Sequence, residues 1–255
     1  AKGRTQVHGP VNLNIYTGYR LQTKGFDKKP FLGEPRSPEY YVDLLKQAGY
    51  QSHAQWNSWD IPEQAFPMLS GYMQQQAAAV ESQHGGAYRL VRLDLNHMDR
   101  DLADVHQVAM QIFAENYGFS KLSLKEFEQV YQSLIFIYQR HPELLGIFYH
   151  GDDPVGFGYF YPDYGPFFQE ANGDIEHMAN FAQADARGMV LHTFGIIKEH
   201  RGSNIAYSMF SAGFQDMINR KYTYAIGALA KAGRTAYDQM GEPSRSYAIF
   251  ARDLA

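Results

Sequence analysis

Six consecutive residues, Arg201-Gly202-Ser203-Asn204-Ile205-Ala206, join a cation, a hydroxyl and two residue types that tolerate positive φ. Before them runs a short apolar and β-branched stretch, Met189 to Ile197. After them Ile205, Met209, Phe210, Gly213, Phe214, Met217 and Ile218 recur at steps of three and four. The spacing predicts a strand, a tight turn and an amphipathic helix. The first turn of such a helix carries N–H groups with no intrahelical acceptor, and its dipole is positive there. Phosphate or diphosphate is the ligand those donors suit. The chain has no Cys, which excludes thiol nucleophiles, disulfides and Cys-based metal sites. His97, His106, His141 and His177 are dispersed, and neither an H-E-x-x-H pair nor an Asp-rich loop occurs, so no metal is expected.

Gly195-Ile-Ile-Lys-Glu-His-Arg201-Gly202-Ser-Asn204-Ile-Ala206 resembles the acyl-CoA signature of the GCN5-related N-acetyltransferases (GNAT superfamily), whose core reads R/Q-x-x-G-x-G/A. Arg201 matches the leading basic residue and Ala206 the final small one, while Asn204 stands at the middle Gly. The resemblance implies acetyl-CoA, or another acyl-CoA, as co-substrate. It implies that Arg201, Gly202, Ser203, Asn204, Ile205 and Ala206 wrap its pyrophosphate. It also implies that the backbone N–H groups near Ile196 and Ile197 contact CoA and the thioester carbonyl. Tyr237-Asp-Gln-Met-Gly241 is similar to the family's Tyr-x-x-x-Gly-Phe, with Glu242 for the Phe and Ala230 for an upstream Asn. That likeness makes Tyr237 the candidate acid for the leaving thiolate. No carboxylate stands on the strand before the loop, so His192, whose residue type titrates near neutrality, is the candidate base. Attack by an amine on the thioester would be direct. The acceptor is a small-molecule or peptide amine.

The elements that must position these residues follow in a regular order. Tyr88 to Leu93 alternates as a strand, Asp99 to Tyr117 is helical, and Ser123-Leu-Lys-Glu126 is a capping box opening a helix through Phe127, Val130, Leu134 and Tyr138. Leu144 to Tyr149 and Val155 to Tyr161 form a hairpin around Gly151-Asp-Asp-Pro154. Residues 163–187 read as a long loop with a helical piece, a candidate lid. Tyr222 to Ala228 is a strand, Ala230 to Met240 a short helix, and Ser246 to Arg252 the last strand. The resemblance implies an α+β or α/β GNAT fold, with a mixed, mostly antiparallel sheet and helices on both faces, over residues 87–255. Upstream, Val11 to Ile15, Tyr19 to Phe26 and Gln51 to Ile61 read as strands. The helix opened by Ser37-Pro38-Glu39 would bury Tyr40, Tyr41, Leu44, Leu45 and Ala48. Residues 1–61 are similar to the second half of a GNAT domain, as in proteins with two such units in tandem. Leu45 stands where that half often has a Tyr, so the resemblance implies no working catalytic site there: either the N-terminal part of a larger protein is missing from this sequence, or the half-domain is scaffold. Residues 62–86, with little apolar periodicity, read as a solvent-facing helical linker that ends at Gly85-Gly86.

A hydrophobic share of 45% and a charged share of 20% are globular values. A net charge of −4 gives no electrostatic reason to expect nucleic acid or an anionic membrane as partner. No apolar run has the length of a membrane span and no signal-peptide core is seen, so the expected compartment is cytoplasmic. A homodimer is left open. Two rivals stand beside the acetyltransferase. One is a degenerate GNAT-fold module that binds CoA or regulates without turnover, suggested by Asn204. The other is a transferase of longer acyl chains, suggested by the aromatic stretch Phe157 to Phe168.

Overall fold

In chain order, the computed structural model runs β1 (Gln6–Gly9), β2 (Leu21–Lys24), α1 (Tyr40–Gln47), β3 (Gln51–Pro62), α2 (Phe66–His84), β4 (Tyr88–Arg92), α3 (Met98–Ile112) and α4 (Leu124–Arg140). It continues with β5 (Leu145–His150), β6 (Asp153–Pro162), α5 (Gly165–Ala171), α6 (Ile175–Ala179), β7 (Gly188–Ile196), α7 (Ala206–Asn219), β8 (Tyr224–Lys231) and β9 (Arg245–Asp253). All residues are described except 1, 2, 13, 17, 234 and 255, together with the side chains of 133, 134, 236 and 239. The expected strand Val11 to Ile15 thus falls partly outside the described residues, and Val11 forms only an isolated bridge with Tyr19. Leu134, expected on the inner face of α4, is one of the side chains outside the description.

Two compact units emerge, and they are interleaved in sequence. One holds residues 1–60, 163–186 and 226–255; the other holds 61–162 and 187–225. The expected division into 1–61, 62–86 and 87–255 is therefore not the one the structure follows. Its physical reason lies in β9, which pairs antiparallel with β1, β2 and β3 and so ties the last strand to the first sixty residues.

In the second unit β4, β5, β6 and β7 lie in that order, each pair antiparallel. Side chains alternate along β6 with the period of two that a pleat imposes. Phe157 and Tyr159 meet Phe113, Tyr131 and Tyr138 on one face. Phe160 meets Phe210 of α7 on the other. Helices cover both faces, which is why β5 and β6 read as nearly unbroken apolar runs. Two glycines permit the close approach: a Cβ at Gly158 would meet the Met209 sulfur at 2.5 Å, and one at Gly195 would meet Ile112 at 2.5 Å. The capping box at Ser123 is present, with Glu126 accepting from the Ser123 N–H at 2.8 Å.

Helix α2 corrects an expectation. Rather than facing solvent, it buries Phe66, Ser70 and Val80. It packs along α7, with Phe66 against Phe214 and Tyr72 edge-on to Tyr207. Gly85 does end it, at φ +57°.

In the first unit Tyr247, Ala248, Ile249 and Phe250 of β9 are all buried. Arg245, also buried, binds Asp60 and Glu34, and Glu34 accepts from the Tyr247 hydroxyl. Helix α1 departs from its expected face. Tyr40, Tyr41 and Leu44 are exposed, whereas Val42 is buried and Leu45 packs beside it on Ala248 and Phe250. Residues 163–186, expected as a lid, are helical and fastened within this unit. The Asp163 carboxylate accepts from the Leu32 and Gly165 N–H groups at 3.0 and 2.9 Å, and Gln169 donates to the Pro30 carbonyl. Ala236 to Met240 is a short 3₁₀ turn where a helix from Ala230 was expected, because β8 continues to Lys231.

Candidate functional site

The turn after β7 has the backbone that its composition predicts. Gly202 sits at φ +91° and Asn204 at φ +62°, so Asn204 adopts the left-handed conformation for which Asn is the best non-Gly residue. The chain tightens through Lys198–His200, and the Tyr207 and Ser208 N–H groups bond back to the Asn204 and Ile205 carbonyls. Among the described residues, the N–H groups of Gly202, Asn204, Ile205 and Ala206 take no backbone acceptor. The Ser203 hydroxyl is buried and has no partner among the described residues. These four backbone donors stand at the head of α7, where the dipole is positive, and make a cradle whose chemistry suits an anion, while the Ser203 hydroxyl faces inward. The Ile205 side chain is core, so only its backbone can take part.

Arg201 turns back from this cradle. Its Nε donates to the Ile196 carbonyl at 3.2 Å and its head lies 3.3 Å from the Glu115 carboxylate. Both partners of that ion pair are about half exposed, and such pairs contribute about 0–1 kcal/mol. An incoming phosphate therefore competes with a weak contact. The two backbone donors expected on the strand differ. The Ile197 N–H is spent on the Val155 carbonyl at 2.9 Å, which removes it as a CoA contact. Because successive N–H groups of a strand alternate, the Ile196 N–H points away from β6. His200, in the same turn, is held by the Tyr88 hydroxyl at 2.9 Å and lies against His150.

His192 occupies a special position. Tyr159 pairs with Thr193 and Phe160 with Leu191, so His192 is the extra residue of a β-bulge on β7. Bulges re-aim side chains and are common beside active sites. The His192 Nδ1 is 2.8 Å from the Thr193 hydroxyl, and its ring stacks on Tyr159 at 5.2 Å and leans on Tyr161 at 5.6 Å. Tyr131 and Tyr138 of α4 approach Tyr159 at 6.5 and 6.0 Å between ring centroids. Four phenols and one imidazole thus gather on one face of β6 and β7. Burial raises the Tyr159 hydroxyl to about 12 and pushes Tyr138 well above the ordinary phenol value. The sequence singles out His192 as a candidate but does not point to this cluster. Its signal was present in Tyr131 and Tyr138, seven residues apart on a helix, and in Tyr159 and Tyr161, two apart on a strand.

Tyr237 belongs to the first unit. Thr235 caps its 3₁₀ turn, its ring stacks on Trp59 at 5.7 Å, and a Cβ at Gly227 would lie 2.7 Å from it. Burial raises its hydroxyl, so the phenol stays protonated at neutral pH.

No known family model matches the chain. Among curated proteins it is 26% identical over 140 residues to a bacterial ceramide synthase of Caulobacter vibrioides. That match takes in 52% of this chain and 34% of the relative, so the chain spans about a third of that protein's length. Two solved structures share the fold. One is a GCN5-related N-acetyltransferase from Sphaerobacter thermophilus (TM-score 0.50, 11% identity, 92% of this chain and 59% of that one). The other is a GCN5-related glucosamine N-acetyltransferase region of a fungal multi-domain β-N-acetylglucosaminidase (TM-score 0.52, 10% identity, 88% of this chain and 24% of that one). No helix among the described residues is long and apolar enough to cross a membrane. With its mostly antiparallel sheet, its strand–turn–helix cradle and these structural likenesses, the chain has the fold of the GCN5-related N-acetyltransferases.

Proposed function

We propose that the protein is an acyl-CoA-dependent N-acyltransferase that passes an acetyl group from acetyl-CoA to an amine. The observation that carries this reading is the cradle at the head of α7. Gly202 and Asn204 at positive φ leave four N–H donors, at Gly202, Asn204, Ile205 and Ala206, without a backbone acceptor among the described residues. The CoA pyrophosphate would lie on those donors, with Arg201 exchanging its Glu115 contact for a phosphate oxygen. The amine nitrogen attacks the thioester carbonyl carbon, the C–S bond breaks, and the amine's proton leaves to His192 directly or through a hydroxyl. The thiolate takes a proton from water and departs as CoA thiol. The Ile196 N–H is the backbone group offered to the donor substrate. Likeness to a ceramide synthase supports amide formation as the reaction class, since ceramide is an N-acylated amino alcohol. It also makes a longer acyl-CoA a necessary arm of the assay.

Calorimetry with CoA and acetyl-CoA, followed by thiol release across an amine panel, tests this reading. Binding is expected, with transfer reduced about 10²-fold or more in His192→Gln, the size typical of lost acid–base catalysis. Absence of CoA binding overturns it. A second reading, a GNAT-fold module that binds without transferring, is favoured by one observation: the Ile197 N–H is consumed within the sheet. It predicts CoA binding with no thiol release from any amine.

A further inference from the structure

The phenol cluster beside His192 has a property that the proposed reaction does not require. The Tyr138 ring is buried, with 6% of its surface exposed, and its hydroxyl has no hydrogen-bond partner among the described residues. A buried hydroxyl without a partner has lost its hydration and gained nothing in return, and native structures rarely leave one so without a reason. The groups close enough to act on it electrostatically are Tyr159, Tyr161 and Tyr131, all neutral phenols. Tyr159 and Tyr161 are themselves buried, and the Thr193 hydroxyl bonds the Tyr159 side chain. Phe127 closes the cluster against Tyr131 at 4.5 Å. The walls are therefore aromatic, the polar atoms are hydroxyls and one imidazole, and neither a carboxylate nor a cation faces the Tyr138 oxygen among the described residues.

Such surroundings sort ligands by charge. A carboxylate or phosphate entering them loses its hydration and meets no cation, which is costly. A hydroxyl entering them gains the partner that Tyr138 lacks. An amine held there is kept from protonation by the same low polarity, and the neutral amine is the form that attacks a thioester.

We propose that the Tyr131, Tyr138, Tyr159 and Tyr161 cluster is the acceptor subsite, that it takes uncharged amines bearing a hydroxyl group, and that Tyr138 is the residue that reads that hydroxyl. This rests on the acyltransferase reading for its biological meaning, but its test does not require turnover. Three ligands of equal chain length serve as probes: 2-amino-1-octanol, octylamine and 2-aminooctanoate. Each is titrated calorimetrically into the full chain saturated with CoA, and again into Tyr138→Phe. The amino alcohol should bind about ten-fold more tightly than octylamine, the gain from one satisfied buried hydroxyl, and the carboxylated amine should bind most weakly. In Tyr138→Phe the advantage of the amino alcohol over octylamine should vanish while octylamine and CoA bind as before. Where transfer occurs, the same loss should fall on KM for the amino alcohol, with kcat little changed. Binding of the carboxylate as tight as that of the amino alcohol overturns the proposal, as does an equal effect of Tyr138→Phe on both amines, or binding of none of the three. Should Tyr138→Phe fail to fold, the ranking of the three probes on the unaltered chain decides alone. Failure to bind CoA is a different result: it removes the acyltransferase reading and leaves the ranking of the amines to be measured without it.

Discussion

Asn204 shows how one residue type can satisfy a backbone and still alter a site. At φ +62° it keeps the turn that a glycine would make, and it is exposed, so no packing holds its side chain. Asn204→Gly should leave stability within about 0.5 kcal/mol, since relief of the left-handed conformation is offset by the freer unfolded chain. Asn204→Val should cost about 1–2 kcal/mol, because a β-branched residue is poorly accommodated there. Urea titration of both variants checks this, and calorimetry on the glycine variant shows whether the Asn side chain crowds a phosphate. Unchanged stability in the valine variant would mean that the turn can rearrange. This positive φ was legible in the sequence, because Gly and Asn at a strand-to-helix turn admit few conformations. What Arg201 does without ligand was not legible: Glu115 meets it from 86 positions away, and no local pattern announces such a partner. Nor does the sequence reveal that the Ile197 N–H is consumed by Val155, since that follows from strand register, which only the assembled hairpin fixes.

At the scale of elements, periodicity succeeded where burial was one-sided and regular. β6, β7 and α7 were readable, and α4 announced itself through its capping box. Helix α2 was not readable, because its contact surface is sparse: Phe66, Ser70 and Val80 are buried, and polar Gln74 reaches Gln215 at 3.2 Å. Small side chains at Ala77, Ala78 and Ala79 add helix propensity without apolar contrast. A helix that packs through one large anchor should be sensitive to it. Phe66, 1% exposed against Phe214, becomes a cavity in Phe66→Ala, with an expected loss of about 3–5 kcal/mol. Met68, two positions away and 69% exposed, should change stability by no more than about 0.5 kcal/mol as Met68→Ala. Denaturant midpoints at constant m-value measure both. Equal effects of the two substitutions would show that α2 does not rest on α7 through Phe66. Helix α1 failed in the opposite sense. Its Tyr40, Tyr41 and Leu44 look like a buried stripe in one dimension, yet the core reaches the helix through Val42 and Leu45.

For the whole molecule, the order of elements from residue 87 onward reads as one closed domain, and that reading omits what the last strand needs. β9 pairs with β1 and β2 on one side and β3 on the other, in registers that run from Gln6↔Asp253 to Ser58↔Arg245. Its Tyr247, Ile249 and Phe250 are 2% exposed or less, and burying each such side chain contributes about 1.5–3 kcal/mol. Arg245 is buried against Asp60 and Glu34 and donates to the Lys29 carbonyl at 3.2 Å, so all these partners precede residue 61. Long-range strand pairing of this kind leaves no local trace, which is why the sequence suggests a boundary at Gly86 that the structure does not respect. A fragment of residues 87–255 should therefore expose both edges of β9, leave Arg245 without its carboxylates, and lose α2 from the flank of α7. It is expected to aggregate, or to unfold without a cooperative transition, whereas the full chain gives a steep one. The two can be compared by circular dichroism during urea titration and by light scattering. Supplying residues 1–86 as a separate chain should restore cooperativity in part, because the missing strands and helix come back as partners. If the fragment alone unfolds cooperatively and remains monomeric, β9 does not depend on β1, β2 and β3, and the sequential division is the correct one.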